Sequence, residues 1–294
     1  MEQLATFAER HVGGVDAGWF GPCHGHSADG IHAALEKKQP VSAIKVTALY
    51  RYPVKGFSPE PLRRAEIAAG GTMPFDRAYA IENGPSGFDP AAPAYFPKAY
   101  FLMLMKNERL AEFQTRFDDA SGIFRVLRDG SLVVEGSLRT AEGRSMIEVW
   151  IAENFRAELR GAPKILAADG FSFSDVAEKV LHLVNLASVR DLEKKLGRTI
   201  DPLRFRPNVI VEGLAAWEEL DWPEKEIGLP DLTLLGRKRT SRCAATNVDP
   251  KTGHRDMQIP RSLEAEFGHE DFGVYLAAKT SGSIAVGDEL KVSP

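Results

Sequence analysis

From Ile44 onward the chain is written in short alternating runs rather than long helical ones, and this restricts the fold more than any other feature of the sequence. Ile44, Val46, Ala48 and Tyr50 recur with a period of two, which reads as a strand with one face turned inward. Comparable runs lie at 66–68, 77–81, 101–105, 111–117, 123–127 and 132–135. They return in the last third at 208–212, 232–235, 244–247, 274–278, 284–286 and 289–292. Turn chemistry separates them, such as Gly70-Gly71 and the hairpin signal Asp129-Gly130. Many short strands with frequent turns predict a barrel or a sandwich. Two helices interrupt the pattern. Residues 144–159 carry Met146, Ile147, Trp150, Ile151 and Phe155 before Gly161 and Pro163 stop them. Ser188–Leu196 precedes a Gly197 cap. Residues 83–98, rich in Gly, Pro and Ala, read as a long exposed loop.

The chain has 294 residues, 44% of them hydrophobic, enough to bury a core without disulfide or metal staples. Its net charge of -4 gives no whole-chain reason to expect nucleic acid or an anionic membrane as partner, so any basic site must be local. No apolar run reaches bilayer-spanning length and the first thirty residues lack a signal pattern, so a cytoplasmic protein is expected. Residues 1–43 differ from the rest: they hold Cys23 and four of the seven histidines, and read as an appended arm with a short helix near Ile31–Lys38. Cys23-His24-Gly25-His26 does not match structural zinc spacing. The two cysteines, Cys23 and Cys243, lie too far apart in sequence to suggest a disulfide framework.

Several short stretches carry chemistry. Arg237, Lys238, Arg239 and Arg242 crowd the run that ends at Cys243, and nearby cations favour the thiolate, the form that binds metals or attacks electrophiles. Composition alone favours a plainer reading, a solvated basic loop beside a core cysteine. In Asp201–Asn208 an extended backbone would put Arg204 and Arg206 on one side and Phe205 on the other, a paired fork suited to oxyanions. Two surface arginines on an edge strand fit the same pattern. Lys55, between a strand and Gly56, stands where a ligand could approach. Phe75-Asp76-Arg77 and Val248-Asp249-Pro250-Lys251-Thr252-Gly253 are each also satisfied by local turns. No phosphate-loop, dinucleotide or nucleophile-elbow signature is present.

Taken in order, Tyr52-Pro53-Val54-Lys55-Gly56, Phe75-Asp76-Arg77, Phe205-Arg206-Pro207-Asn208, Ser241-Arg242-Cys243, Val248–Gly253, Phe272-Gly273 and Gly282–Asp288 resemble the MOSC family, named for the molybdenum cofactor sulfurase C-terminal domain. The resemblance covers residue 44 to the end and includes the β-rich N-terminal partner domain of the amidoxime-reducing components. It implies a β-rich α+β fold, with a smaller barrel-like domain at 44–143 packed against a MOSC β-barrel domain at 144–294. It further implies a molybdenum–pyranopterin cofactor in a basic cleft between them. Cys243 would be the metal's protein ligand, with Lys55, Arg77, Arg204, Arg206, Asn208, Ser241 and Arg242 as cofactor-binding residues and Asp249 as a proton relay. Ser174-Asp175 stands where relatives carry Ser-Asp-x-x-Pro, here without the proline. The activity so implied is reduction of small N-hydroxylated compounds with electrons from an external ferredoxin- or flavoprotein-like donor. Sulfur transfer through a Cys243 persulfide and non-catalytic cofactor carriage are the alternatives. Pyridoxal phosphate on Lys55 is a remote one.

Overall fold

The computed structural model describes residues 43–294. The strands are β1 (Ile44–Arg51), β2 (Glu60–Leu62), β3 (Arg64–Ile67), β4 (Ala80–Asn83), β5 (Gln114–Phe117), β6 (Ile123–Arg128) and β7 (Ser131–Ser137). After helix α1 (Ala141–Asn154) come β8 (Pro163–Leu166), β9 (Leu181–Asn185), α2 (Leu186–Leu196), β10 (Val209–Glu212), β11 (Glu226–Gly228) and β12 (Thr233–Ser241). Helix α3 (Ile259–Phe267), β13 (Asp271–Ala278), β14 (Gly282–Ala285) and β15 (Glu289–Val292) complete the chain. The fold is β-rich α+β, as the alternating runs predict. The Cys23 cluster and the Ile31–Lys38 helix lie outside the described residues.

Seven strands close into a barrel in the order β10-β9-β13-β12-β11-β15-β1, with β1 pairing back onto β10. β1 therefore supplies a stave to a barrel whose other six strands all follow residue 180. A closed ring of seven cannot alternate strand direction throughout, so at least one pair must be parallel. That pair is β9–β10, and every other junction is antiparallel. A parallel pair cannot be joined by a hairpin and needs a crossover. α2 and the 3-10 turn Pro202–Phe205 form that crossover, and it delivers Arg206 to the end of the barrel. The barrel is filled by side chains such as Val46, Leu49, Leu183, Val211, Trp222 and Leu276, all almost fully buried.

A second core forms where the β5-β6-β7 sheet packs against α1, around Phe113, Phe124, Val126, Ile147, Trp150 and Phe155. Thr140 caps α1 by accepting from Gly143 N at 3.1 Å. Glycine is required at 143, because a Cβ there would stand 2.3 Å from the Ser137 backbone nitrogen, so the helix lies directly on β7. A smaller aromatic cluster of Phe88, Phe101 and Phe173, with Phe96 and Phe171 against it, anchors the segment that precedes residue 101.

Local pattern misled at several places. Leu181–Asn185 is a strand that alternation does not reveal, because all five residues are buried and no period of two appears. Residues 244–247 form a 3-10 turn rather than a strand, with Thr246 N donating to Cys243 O. Phe101 makes only a single bridge to Glu82, and a 3-10 turn at Glu108–Glu112 occupies the start of the 111–117 run. The first helix ends at Asn154, short of the expected 159.

Candidate functional site

A cavity of about 390 Å³ opens where the end of β1, the α2 crossover, the end of β12 and the segments around Lys98 and Asp175 converge. Of the residues singled out from sequence, Lys55, Arg77, Arg206, Asn208, Ser241, Arg242 and Cys243 all line it. Among these seven, residues up to 188 positions apart in sequence meet there.

Lys55 follows β1, is buried, and donates to the Phe173 carbonyl at 2.8 Å and to the Asp175 carboxylate. Burial pushes its pKa down, and Asp175 pulls it partly back. Burial would raise the pKa of Asp175, yet Lys55 and Lys98 together hold it well below the usual carboxylate range. Arg77 and Arg206 flank the ring of Tyr52, with their guanidinium carbons 4.7 and 4.1 Å from its centroid. Tyr52 donates to the Pro207 carbonyl at 3.2 Å, which fixes the ring between the two cations. Arg77 is also paired with Asp76, whose other oxygen accepts from Tyr52 N. Both arginines take left-handed backbone angles, with φ of 53° and 52°. Such angles are uncommon for residues with a Cβ and strain the backbone at two cavity-lining positions.

Arg206 and Arg242 are the unusual members. Arg206 donates through Nη1 to the Phe57 carbonyl at 2.9 Å, and Arg242 donates through Nη2 to the Phe205 carbonyl at 2.8 Å. Neither pairs with a carboxylate among the described residues, and Arg206 Nη2 and Arg242 Nε are buried without an acceptor. Burial pushes Arg206 down to about 10 and also lowers Arg242. Two half-buried guanidiniums that each hold a buried, unpartnered nitrogen and no counter-ion are costly unless an anion completes them. Next to Arg242, His182 is buried and neutral: desolvation, reinforced by the Arg242 charge, drives its pKa well below the ordinary value.

Cys243 is a free, partly exposed thiol at the N-cap of the 3-10 turn Ala244–Asn247. It borders both the cavity and an open groove beside α3. Among the described residues no three His, Cys, Asp or Glu side chains cluster to hold a metal ion. A metal at this sulfur would have one protein donor and would need its other ligands from a cofactor.

One expectation is corrected, and two further residues stand apart from the cavity's free cations. Arg204 does not share a face with Arg206, because residues 202–205 form a 3-10 turn and Arg206 is left-handed, so the extended-strand geometry never arises. Arg204 instead lies buried against Asp249 (3.0 Å) and Asp256 (2.8 Å), outside the cavity lining. Asp249, expected as a relay, is paired with Arg204 and is likewise absent from the cavity lining. Although burial raises its pKa, the Lys251 and Thr252 backbone N–H groups and Arg204 hold it below the ordinary value. Asn208 lines the cavity but has no donor to spare: its amide nitrogen donates to Tyr50 O and Asp76, and its oxygen accepts from His182 N.

Sequence reading missed Lys98, which lies in the expected exposed loop yet lines the cavity opposite β12. Burial lowers its pKa, but Asp175 and Cys243 outweigh that and raise it above its usual value; the ammonium and the sulfur line the same cavity. Only Pro97 and the following aromatics hinted at order there. Tyr52 and Asp175 were visible within quoted motifs but carried no local sign of what they hold.

Fold and site together define a β-barrel protein with an anion-seeking cavity and one thiol at its edge. Residues 43–161 match the MOSC N-terminal beta barrel domain and residues 162–291 match the MOSC domain, so the chain belongs to the MOSC family. It is 33% identical to mitochondrial amidoxime reducing component 2 of Rattus norvegicus over 37% of this chain and 35% of that protein. It is also 33% identical to mitochondrial amidoxime-reducing component 1 of Mus musculus, over 41% of this chain and 38% of that one. A longer match, 23% identical over 79% of this chain and 30% of the relative, is to molybdenum cofactor sulfurase of Homo sapiens. These matches span about a third of each relative's length. Among solved structures, the YUAD protein from Bacillus subtilis aligns over 85% of this chain and 95% of that one, at 14% identity and a TM-score of 0.40. No helix among the described residues is long and apolar enough to cross a membrane.

Proposed function

We propose that the chain binds a molybdenum–pyranopterin cofactor with Cys243 as the protein's thiolate ligand, and reduces N-hydroxylated compounds with electrons from an external donor protein. The observation that carries this reading is the pair of half-buried arginines, Arg206 and Arg242, each with a buried nitrogen that has no acceptor and neither paired with a carboxylate, in a cavity bordered by the thiol. The residues fit the cofactor. Its phosphate would complete Arg206 and Arg242 through charge-assisted bonds. Lys55 and Arg77 would add positive charge, each already held in place by an aspartate. Tyr52 keeps two of these cations in register before anything binds, so the cavity is preorganised. When bound, the cofactor supplies the two-electron centre for the overall change R–NHOH + 2 e⁻ + 2 H⁺ → R–NH₂ + H₂O. The chain's own part is to anchor, orient and supply charge at the sulfur.

The test is metal and pterin content of protein purified from a host that makes the cofactor. Wild type should carry molybdenum and pterin in equal amounts, Cys243→Ala should lose the metal, and Arg206→Gln should lose the pterin. Absence of both from all three proteins refutes the reading. Sulfur transfer is a second reading, favoured by the access to Cys243 from the open groove as well as the cavity. A persulfide on Cys243 without bound pterin, seen by mass spectrometry, would select it.

A further inference from the structure

Seven lysine and arginine side chains line the cavity against two aspartates. Asp76 is taken by Arg77, and Asp175 is shared between Lys55 and Lys98, the latter at 3.4 Å. On the β12 side the three consecutive cations differ. Arg237 pairs with Glu178 at 3.0 Å, and Arg239 with Asp221 at 3.2 Å and the Leu220 carbonyl at 2.8 Å. Lys238 stands between them, exposed at the cavity, its side chain making no ion pair or hydrogen bond to the described residues. Lys98 faces the same space from the N-terminal half, 30% exposed, and lines the cavity together with Cys243. The half-buried arginines account for an anion in the depth of the cavity. Two ammonium groups remain near its opening, one sharing its only carboxylate and the other having none.

We infer that the compound taken at Cys243 carries a negative charge, a carboxylate or phosphate group, and that Lys98 and Lys238 are the specificity-determining residues that receive it. The substrate class so named rests on the proposed reductase reading. The positive field at the sulfur does not. An uncompensated ammonium in a partly closed cavity attracts an anion more strongly than the same group on an open surface, because less water screens it.

Two measurements test this. In cofactor-free protein, alkylation at the Cys243 peptide is followed by mass spectrometry with iodoacetate and with iodoacetamide. Both reagents attack the same thiolate, so their rate ratio reports the field and not the thiolate fraction. The iodoacetate-to-iodoacetamide ratio should exceed that of glutathione by about tenfold or more, the equivalent of one charge-assisted contact. It should fall several-fold in Lys98→Gln and Lys238→Gln, recover in Lys238→Arg, and shrink with added salt. A ratio equal to that of glutathione and unchanged by the variants overturns the inference. In holoenzyme, kcat/KM is compared for benzamidoxime and its para-carboxylate. The preference for the carboxylate should drop about tenfold in Lys238→Gln, mainly through KM. An unchanged preference, or loss of pterin instead, overturns the assignment of these lysines to substrate. If neither compound is turned over, the reductase reading fails, and the alkylation ratios alone decide whether the site selects anions.

Discussion

Arg206→Met should stabilise the cofactor-free protein, the reverse of the usual effect of removing a buried, hydrogen-bonded side chain. Burial holds the Arg206 guanidinium at about 10 against 12.5 for the free group. At ~1.4 kcal/mol per pKa unit, that places a cost of about 3 kcal/mol on the folded state at neutral pH. Because the folded pKa of a cation is lowered, the cost is fully present below pH 10 and is relieved only as pH rises from there toward 12.5. The substitution also removes the bond to the Phe57 carbonyl and the stacking on Tyr52. Together these contribute about 1–2 kcal/mol. The net gain is about 1–2 kcal/mol, which for a unit of this size raises Tm by about 2–8 °C. Thermal unfolding of protein from a host that makes no pterin is the assay, at several pH values from 6 to 9, over which the gain should not change. Added phosphate should stabilise wild type more than the variant, since an anion bound to the folded state shifts unfolding by mass action. A loss of stability on removing Arg206, with no difference in the response to phosphate, would refute the view that its charge awaits an anion.

Two positions earlier the outcome should be opposite. Arg204→Met strips a 2%-exposed guanidinium from Asp249 and Asp256, whose side chains keep 24% and 33% exposure, so a loss near the low end for buried pairs, about 3 kcal/mol, is expected by urea denaturation. The folded fraction should keep wild-type pterin content, and a selective loss of pterin would restore Arg204 to the binding site. For Asp175→Asn, a carboxylate whose folded pKa is depressed stabilises above its ordinary value of 3.8 and loses that contribution as pH falls below it. Urea midpoints of wild type and variant should differ at pH 7 and converge only below about pH 4, by a modest amount because the side chain is 44% exposed. Convergence already at pH 6 would show that the surrounding cations do not hold this carboxylate.

The sequence by itself determined the class of fold and most of the site's chemistry. Short alternating runs with Gly and Asx turns are the imprint of strands with one face buried; many of them leave a barrel or a sandwich, and the resemblance to the MOSC family, not the number of strands, pointed to the barrel that the β1–β10 pairing closes. Lys55, Arg77, Arg206, Ser241, Arg242 and Cys243 carried their chemistry in residue type, and the structure brings them to one cavity. Tertiary structure decided the rest. Whether Arg204 and Arg206 act together depends on backbone angles at residues 202–206, which the need for one parallel crossover in a seven-stranded ring imposes from outside the segment. β9 stayed hidden because burial on both faces erases alternation. Lys98 reaches the cavity that Cys243 borders because the aromatic cluster around Phe88, Phe101 and Phe173 holds its segment there. Periodicity records what one element does with its own faces. A cavity assembled from segments scattered between Lys55 and Tyr275 is a property of closure, and no single segment contains it.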